Sequence, residues 1–369
     1  MKSATTELLQ HSKARLKVEL NNDNFSVTVP SWRATKDVTI KADIIEEITR
    51  IYGYDNFEIH TTRSPLYPVR ASVVKTTENK IKDMLVKRYN LHELHSYVWA
   101  YNDELKAIDI PVEDNVKLAN ATNPNIETLR NSIVPTQLCQ IKSNLSFSND
   151  FGIFEIGRVV NGLDENGLCI ENKKLAITLY SKTRNVKDIY FELRDILAVV
   201  TDEIKHKALT FEKAEPTHSY EHPVNLYSVC LDGRNIGTIG IVHPTINKKI
   251  DKKAAIVFAE IDVNAYANTD AAPIVYDEPS KFPPMDYDIS VEVPQGMFFS
   301  HLAECWKNEG GEILKSTKIV DTYDTDTVHS VTIRFEFSSN ERTLSSAEVQ
   351  KIMDKIISNL SENGVKLRG

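Results

Sequence analysis

Two proline-bearing stretches limit the folds open to this 369-residue chain more than any other feature: residues 61–71, with Pro65 and Pro68, and residues 271–284, with Pro273, Pro279, Pro283 and Pro284. Proline fixes φ and has no N–H to donate, so both stretches read as extended connectors that interrupt any helix or central strand. Three segments result, as expected of a chain longer than one hydrophobic core usually serves. The expectation is an α+β protein with modules at 1–65, 72–270 and 280–369.

Composition removes several function classes. Hydrophobic residues make up 41% and charged residues 26%, and no run approaches the roughly 18 apolar residues of a membrane helix. The first residues interleave Lys2, Glu7, His11, Lys13 and Arg15 with apolar side chains, unlike a secretory signal, so a cytoplasmic address without a membrane partner is expected. Cys139, Cys169, Cys230 and Cys305 lie far apart with no C-x-x-C pair and read as buried free thiols. A formal net charge of −8 speaks against coating nucleic acid by bulk electrostatics, so any RNA contact must be local.

In the first segment, alternation over Asn24 to Pro30 predicts a strand with Phe25, Val27 and Val29 on one face. A helix follows, with Ile44, Ile45, Ile48 and Ile51 at helical spacing, Asp43 and Glu46 as its capping box and Gly53 at its C-terminal stop. In the middle segment, Val74, Ile81, Leu85 and Tyr89 trace a helical stripe, Phe154 to Val160 reads as a strand, and Asp232-Gly233 between two apolar runs predicts a hairpin. The last segment reads β-α-β-β-α-β, the ferredoxin-like order. Its strands are expected at Asp288 to Val293, Lys315 to Tyr323, Val328 to Phe337 and Val365 to Arg368. Its helices are expected at Phe299 to Asn308 and Ser345 to Leu360, the second with a Ser345–Glu348 capping box and a core stripe of Val349, Ile352, Ile356 and Leu360.

The most chemically loaded cluster is Asp37, Asp43, Glu46 and Glu47. Four oxygen donors suit a hard cation such as Mg²⁺. Acidic residues that cap a helix and oppose its dipole give the same pattern, and on spacing alone capping is the commoner cause. His92, His95 and His243 lack a neighbouring nucleophile, base or third ligand in sequence, so structural roles are expected of them and no catalytic residue is assigned.

The segment Val29-Pro30-Ser31-Trp32-Arg33, with Asp37 and the run Ala42 to Asp55, resembles a small domain of bacterial phenylalanyl-tRNA synthetase β subunits. The resemblance continues through Ala121-Thr122-Asn123-Pro124, Leu129 to Pro135, Phe154 to Val159 and Ile239 to Pro244, similar to that family's class II synthetase-like antiparallel core. It extends to Ser280-Lys281-Phe282-Pro283, Val320 to Tyr323, Glu341 to Leu344 and Val365 to Arg368, similar to its ferredoxin-fold anticodon-binding domain. Departures fall at Ala34-Thr35-Lys36, where many relatives are shorter, and at Asn90-Leu91, where they more often have Gly-Phe.

This resemblance implies that Asp37, Asp43, Glu46 and Glu47 bind a Mg²⁺ shared with a catalytic α subunit in an (αβ)₂ heterotetramer. It also implies that the assembly uses ATP to join phenylalanine to tRNA(Phe), and that the core is catalytically silent. The residues agree on the last point: a class II site needs a glycine-rich strand ending in arginine, and Gly237 and Gly240, the nearest candidates, lead into Ile241-Val242-His243. The family's domains preceding this region are not represented, so a C-terminal piece is expected and editing is not assigned to it.

Residues 280–369 hold ten Lys or Arg against fourteen Asp or Glu, so anticodon binding is expected to rest on single groups near Arg334, Arg342 and Arg368. The rivals are a free-standing, non-enzymatic RNA-binding paralogue and an independent class II ligase, the latter disfavoured by the missing arginine.

Overall fold

The computed structural model describes residues 16–368 apart from 23, 100, 113–114, 277, 295 and 326–327. The charged pattern noted from Lys2 to Arg15 lies outside the described residues. The chain divides into two compact units, Met1–Ala71 and Ser72–Gly369.

In the first unit, β1 (Lys17–Asn21) and β2 (Asn24–Thr28) form an antiparallel hairpin, with Asn22 in the left-handed region at φ 57°. The strand stops before Pro30, which has no N–H to donate. Helix α1 (Lys41–Tyr52) lays Ile44, Ile48 and Ile51 against Leu16, Val18, Val27 and Val29. Phe25 and Ile45, expected inside, are exposed. Ile45 lies about 100° round the helix from Ile44 and so leaves the i, i+4, i+7 stripe. Gly53 ends α1 at φ 97° and returns its N–H to the Thr49 carbonyl, as its position in sequence suggested.

The second unit contains, in chain order, α2 (Val73–Lys87), β3 (His92–Glu93), α3 (Asn102–Ala107), α4 (Val134–Ser143), β4 (Asp150–Leu163), β5 (Cys169–Ser181) and α5 (Val186–Lys205). There follow β6 (Thr210–Lys213), β7 (Glu221–Leu231), β8 (Arg234–Val242), α6 (Pro244–Ile250), β9 (Ala255–Asp262) and α7 (Val263–Asn268). Among the described residues the strands form a seven-stranded sheet in the order β3-β4-β5-β9-β8-β7-β6, antiparallel except for the β3–β4 pair. Alternation sorts β5 cleanly. Leu175, Ile177 and Leu179 join Ile81 and Leu85 of α2 and Leu193 and Ile196 of α5 in one core, while Ala176 and Tyr180 join Leu138 and Ile141 of α4 and Ile246 of α6 in another. Both faces of the sheet are therefore covered. The Asp232-Gly233 turn has both residues at positive φ, 52° and 73°, as a two-residue hairpin with right-twisted strands requires.

Beyond the second proline stretch come β10 (Met285–Glu292), α8 (Phe299–Glu304), β11 (Leu314–Asp324), β12 (His329–Phe337), α9 (Ser346–Glu362) and β13 (Lys366–Leu367). The sheet order is β11-β12-β10-β13, all antiparallel, the ferredoxin-like arrangement. Ile333, Phe335 and Phe337 pack beneath α9, which buries Val349, Met353, Ile356 and Leu360; Ile352 is only half-buried. The first of the two helices is shorter than expected. Ser345 makes no side-chain cap bond, and its capping partner Glu348 is held by Arg342. Cys139, Cys230 and Cys305 are buried free thiols, whereas Cys169, at the start of β5, is exposed.

Candidate functional sites

The sequence Pro30 to Val38 folds as a tight loop, with the Arg33 N–H donating to the Pro30 carbonyl and the Val38 N–H to that of Arg33. This turns the Arg33 side chain inward. Its Nε and Nη2 donate to Asp37 Oδ2 at 2.8 Å and Oδ1 at 3.2 Å, and Nη2 also donates to Glu47 Oε1 at 2.7 Å. Arg50, one turn after Glu47, donates to Glu47 Oε2 at 2.6 Å.

The structure thus brings Asp37 and Glu47 together through Arg33, a residue the sequence had marked only as part of a motif. Hydrogen bonds from Arg33 hold both carboxyls below the usual carboxylate range, for Glu47 against the opposing pull of burial, and the two carboxylates push the Arg33 guanidinium up.

Asp43 faces the helix itself. It occupies the third position of α1, not the cap, and its Oδ2 accepts the backbone N–H groups of Thr39 at 2.6 Å and Ile40 at 2.9 Å. Those two bonds keep its pKa low. Glu46 is exposed. Of the four acidic residues expected to hold Mg²⁺, three already spend oxygens on Arg33, Arg50 or the start of α1. Among the described residues no three His, Cys, Asp or Glu side chains gather as metal ligands. As folded here, the four carboxylates do not by themselves fit a divalent ion.

The core carries two buried polar systems that sequence did not disclose. Arg130 donates to Glu155 Oε1 at 2.7 Å and to Ser96 Oγ at 2.6 Å. Glu260 accepts Lys174 at 2.7 Å, Ser132 Oγ at 3.0 Å and the Ile133 N–H at 2.7 Å, which anchors the start of α4 on β9. Three hollows of the second unit measure about 20, 40 and 190 Å³, below the ~300 Å³ at which small-molecule sites begin, whereas an open groove of the first unit beside Val27, Val29, Ile44 and Ile48 measures about 1040 Å³. His243 Nδ1 accepts the Thr245 N–H at 3.2 Å and so caps α6. His92 packs edge-on against Phe147. His95 is exposed.

In the C-terminal sheet the three arginines occupy different settings. Arg334 on β12 forks onto Asp288 of β10, both contacts at 2.8 Å, as their direct register pairing allows. Asp288 is lowered by that pair. Arg342 forks onto Glu348. Arg368 stacks on Tyr323, 5.3 Å from the ring centre. The sequence signals for these partners existed only for Arg342, which lies six residues before Glu348.

Comparison with known proteins assigns the chain. Residues 60–263 match the phenylalanyl tRNA synthetase beta chain CLM domain, 280–368 the ferredoxin-fold anticodon binding domain, and 2–54 the tRNA synthetase B5 domain. Phenylalanine–tRNA ligase beta subunits of Clostridium tetani and Staphylococcus haemolyticus are 27% and 30% identical, covering 96% and 95% of this chain and 45% and 44% of their own lengths. That of Bacillus subtilis is 28% identical over 92% of this chain and 43% of its own. The chain thus spans less than half the length of these relatives. Among solved structures, a pyrrolysyl-tRNA synthetase from Desulfitobacterium hafniense aligns at 14% identity and a TM-score of 0.40 over 52% of this chain and 67% of that one, a likeness too low to carry an argument. With the CLM match alone running over more than half of its residues, the chain belongs to the phenylalanyl-tRNA synthetase beta chain family.

Proposed function

We propose that this chain is a non-catalytic part of a phenylalanyl-tRNA synthetase β subunit, which scaffolds the catalytic α subunit and helps to hold tRNA(Phe) during ATP-dependent aminoacylation in the cytoplasm. It works as three modules, 1–65, 72–270 and 280–369, within an (αβ)₂ heterotetramer. The observation that carries the silent-core reading is the doubly covered sheet. Residues of α4 fill the face opposite α2 and α5, and the two hollows of about 20 and 40 Å³ against it are too small for a nucleotide and an amino acid together. Activation requires groups that bind and orient ATP phosphates, and the chemistry is assigned to α.

Asp37, Asp43, Glu46 and Glu47 supply hard oxygen donors of the class Mg²⁺ prefers. Because Arg33 and the start of α1 engage three of them, the ion's sphere requires groups from the α subunit. Arg334, Arg342 and Arg368 are assigned to tRNA contact on one polar sheet and its rim.

Co-expression with an α subunit tests the reading. The chain alone is expected to give no phenylalanine-dependent pyrophosphate exchange, and the reconstituted complex to charge tRNA(Phe). Removing 280–369 from the complex is expected to raise the KM for tRNA while leaving amino-acid activation in place. Exchange by the isolated chain would overturn the silent core. Failure to associate with α would favour a free-standing RNA-binding paralogue.

A further inference from the structure

Beside the start of α3 lies a hollow of about 40 Å³ whose wall includes Asn102, Thr128, Leu129 and Arg130. Two residues of that wall each carry a polar atom that is shut away from solvent and meets no partner among the described residues. Thr128 is 7% exposed, and its Oγ1 is one of them. Asn102 Oδ1 is the second, although the Asn102 amide nitrogen reaches the Pro124 carbonyl at 3.4 Å. A single orphaned group in a buried seam is uncommon, and two on the wall of one hollow point to an occupant that completes their hydrogen bonds.

The chemistry of the occupant follows from the atoms. The Asn102 oxygen calls for a donor, while the Thr128 hydroxyl serves either way. A cation finds no carboxylate in the wall to hold it. An anion gains little, because the Arg130 charge is already matched by Glu155 at 2.7 Å. The space admits water and little more. We propose that this cavity is a built hydration site, in which at least one buried water bridges Thr128 Oγ1 and Asn102 Oδ1. That water joins the start of α3 to the Thr128–Arg130 segment, which already accepts support through the Arg130 N–H bond to the Val98 carbonyl at 2.8 Å.

The substitution Thr128→Val in the full chain gives opposite signs for a wet and a dry cavity. Valine keeps the shape and removes the hydroxyl. If water is bound, valine strips one of its partners, and the thermal midpoint falls by several degrees. If the cavity is dry, valine removes an orphan, and the midpoint stays or rises, which overturns the proposal. Should the variant not fold, the wild-type chain decides: a crystal structure that resolves ordered solvent is expected to show a peak within about 3.2 Å of both oxygens, and an empty cavity there would end the idea.

Discussion

Arg130 and Glu155 meet at 2.7 Å with their side chains only 3% and 2% exposed, a charge pair sealed inside the core and shared with Ser96. Gly157 is part of the arrangement, because a Cβ there would overlap both the guanidinium and the carboxylate. Breaking such a pair strands the other charge in a poorly solvated site, at a cost of about 3–5 kcal/mol. Arg130→Met is therefore expected to lose about that much in urea denaturation. The double variant Arg130→Met, Glu155→Leu is expected to recover a large part of it, since neither charge remains to be desolvated. An additive double variant would show that the two residues act independently.

Acid should unfold the first unit through Asp37 and Glu47. Both carboxyls are held below their ordinary values, mainly by Arg33. Their contribution is fully present above the usual carboxylate range of about 4 and is lost as pH falls through the lowered values. The protection of the α1 amides relative to their intrinsic exchange is expected to be steady from pH 7 to 5 and to fall below about pH 4. Glu47→Gln should flatten that acid limb and speed exchange at neutral pH. A limb unchanged in this variant would move the acid sensitivity elsewhere.

The metal proposal is best probed at Glu46, the acidic residue of the four that is both exposed and outside the Arg33 cluster. Glu46→Gln is expected to weaken Mg²⁺-dependent assembly with α, read by calorimetric titration, while thermal unfolding of the chain stays within about 0.5 kcal/mol of wild type. Glu47→Gln confounds the two effects, since it also releases Arg33 and Arg50. If assembly in Mg²⁺ does not respond to Glu46→Gln, the acidic run reverts to helix capping and internal ion pairing.

The charge of Arg334, one of the residues proposed for tRNA contact, is already matched by Asp288. Substituting it is expected to lower the salt slope of tRNA binding by clearly less than the one unit expected for a free phosphate contact, whereas Arg368→Ala should lower it by about one. Asp288→Asn should tighten binding, because it removes a competitor for the same guanidinium. Slopes that stay fixed in all three variants would take the polar sheet face out of tRNA binding.

Local periodicity made much of the fold legible. The Asp232-Gly233 hairpin, the α1 stop at Gly53, and the alternation of Ile333, Phe335 and Phe337 are decided by neighbours in sequence, and each stands where it was expected. Partners distant along the chain were not legible. Arg33 reaches Glu47 fourteen residues on, and Lys174 reaches Glu260 eighty-six residues on. No spacing rule announces either pair. The Asp43 reading erred by one turn for a related reason: an aspartate at the third helical position can reach back to the same N–H groups that a cap residue would serve. The three arginines could be named but not given their counter-ions, because Asp288 becomes the neighbour of Arg334 only through the register of β10 on β12.

The last strand of the ferredoxin-like sheet also sets a clock. Leu367 pairs with Val291, so during synthesis the flank of β10 that β13 fills stays empty, even after β12 has covered the other flank, until the intervening residues have been added. At about 5–20 residues per second that interval lasts on the order of 4–15 s. Through it the Val291 side of β10 is an open edge, able to pair with a neighbouring nascent chain. A chaperone that reads extended apolar edges, or early pairing with another subunit, would gain most by acting in those seconds.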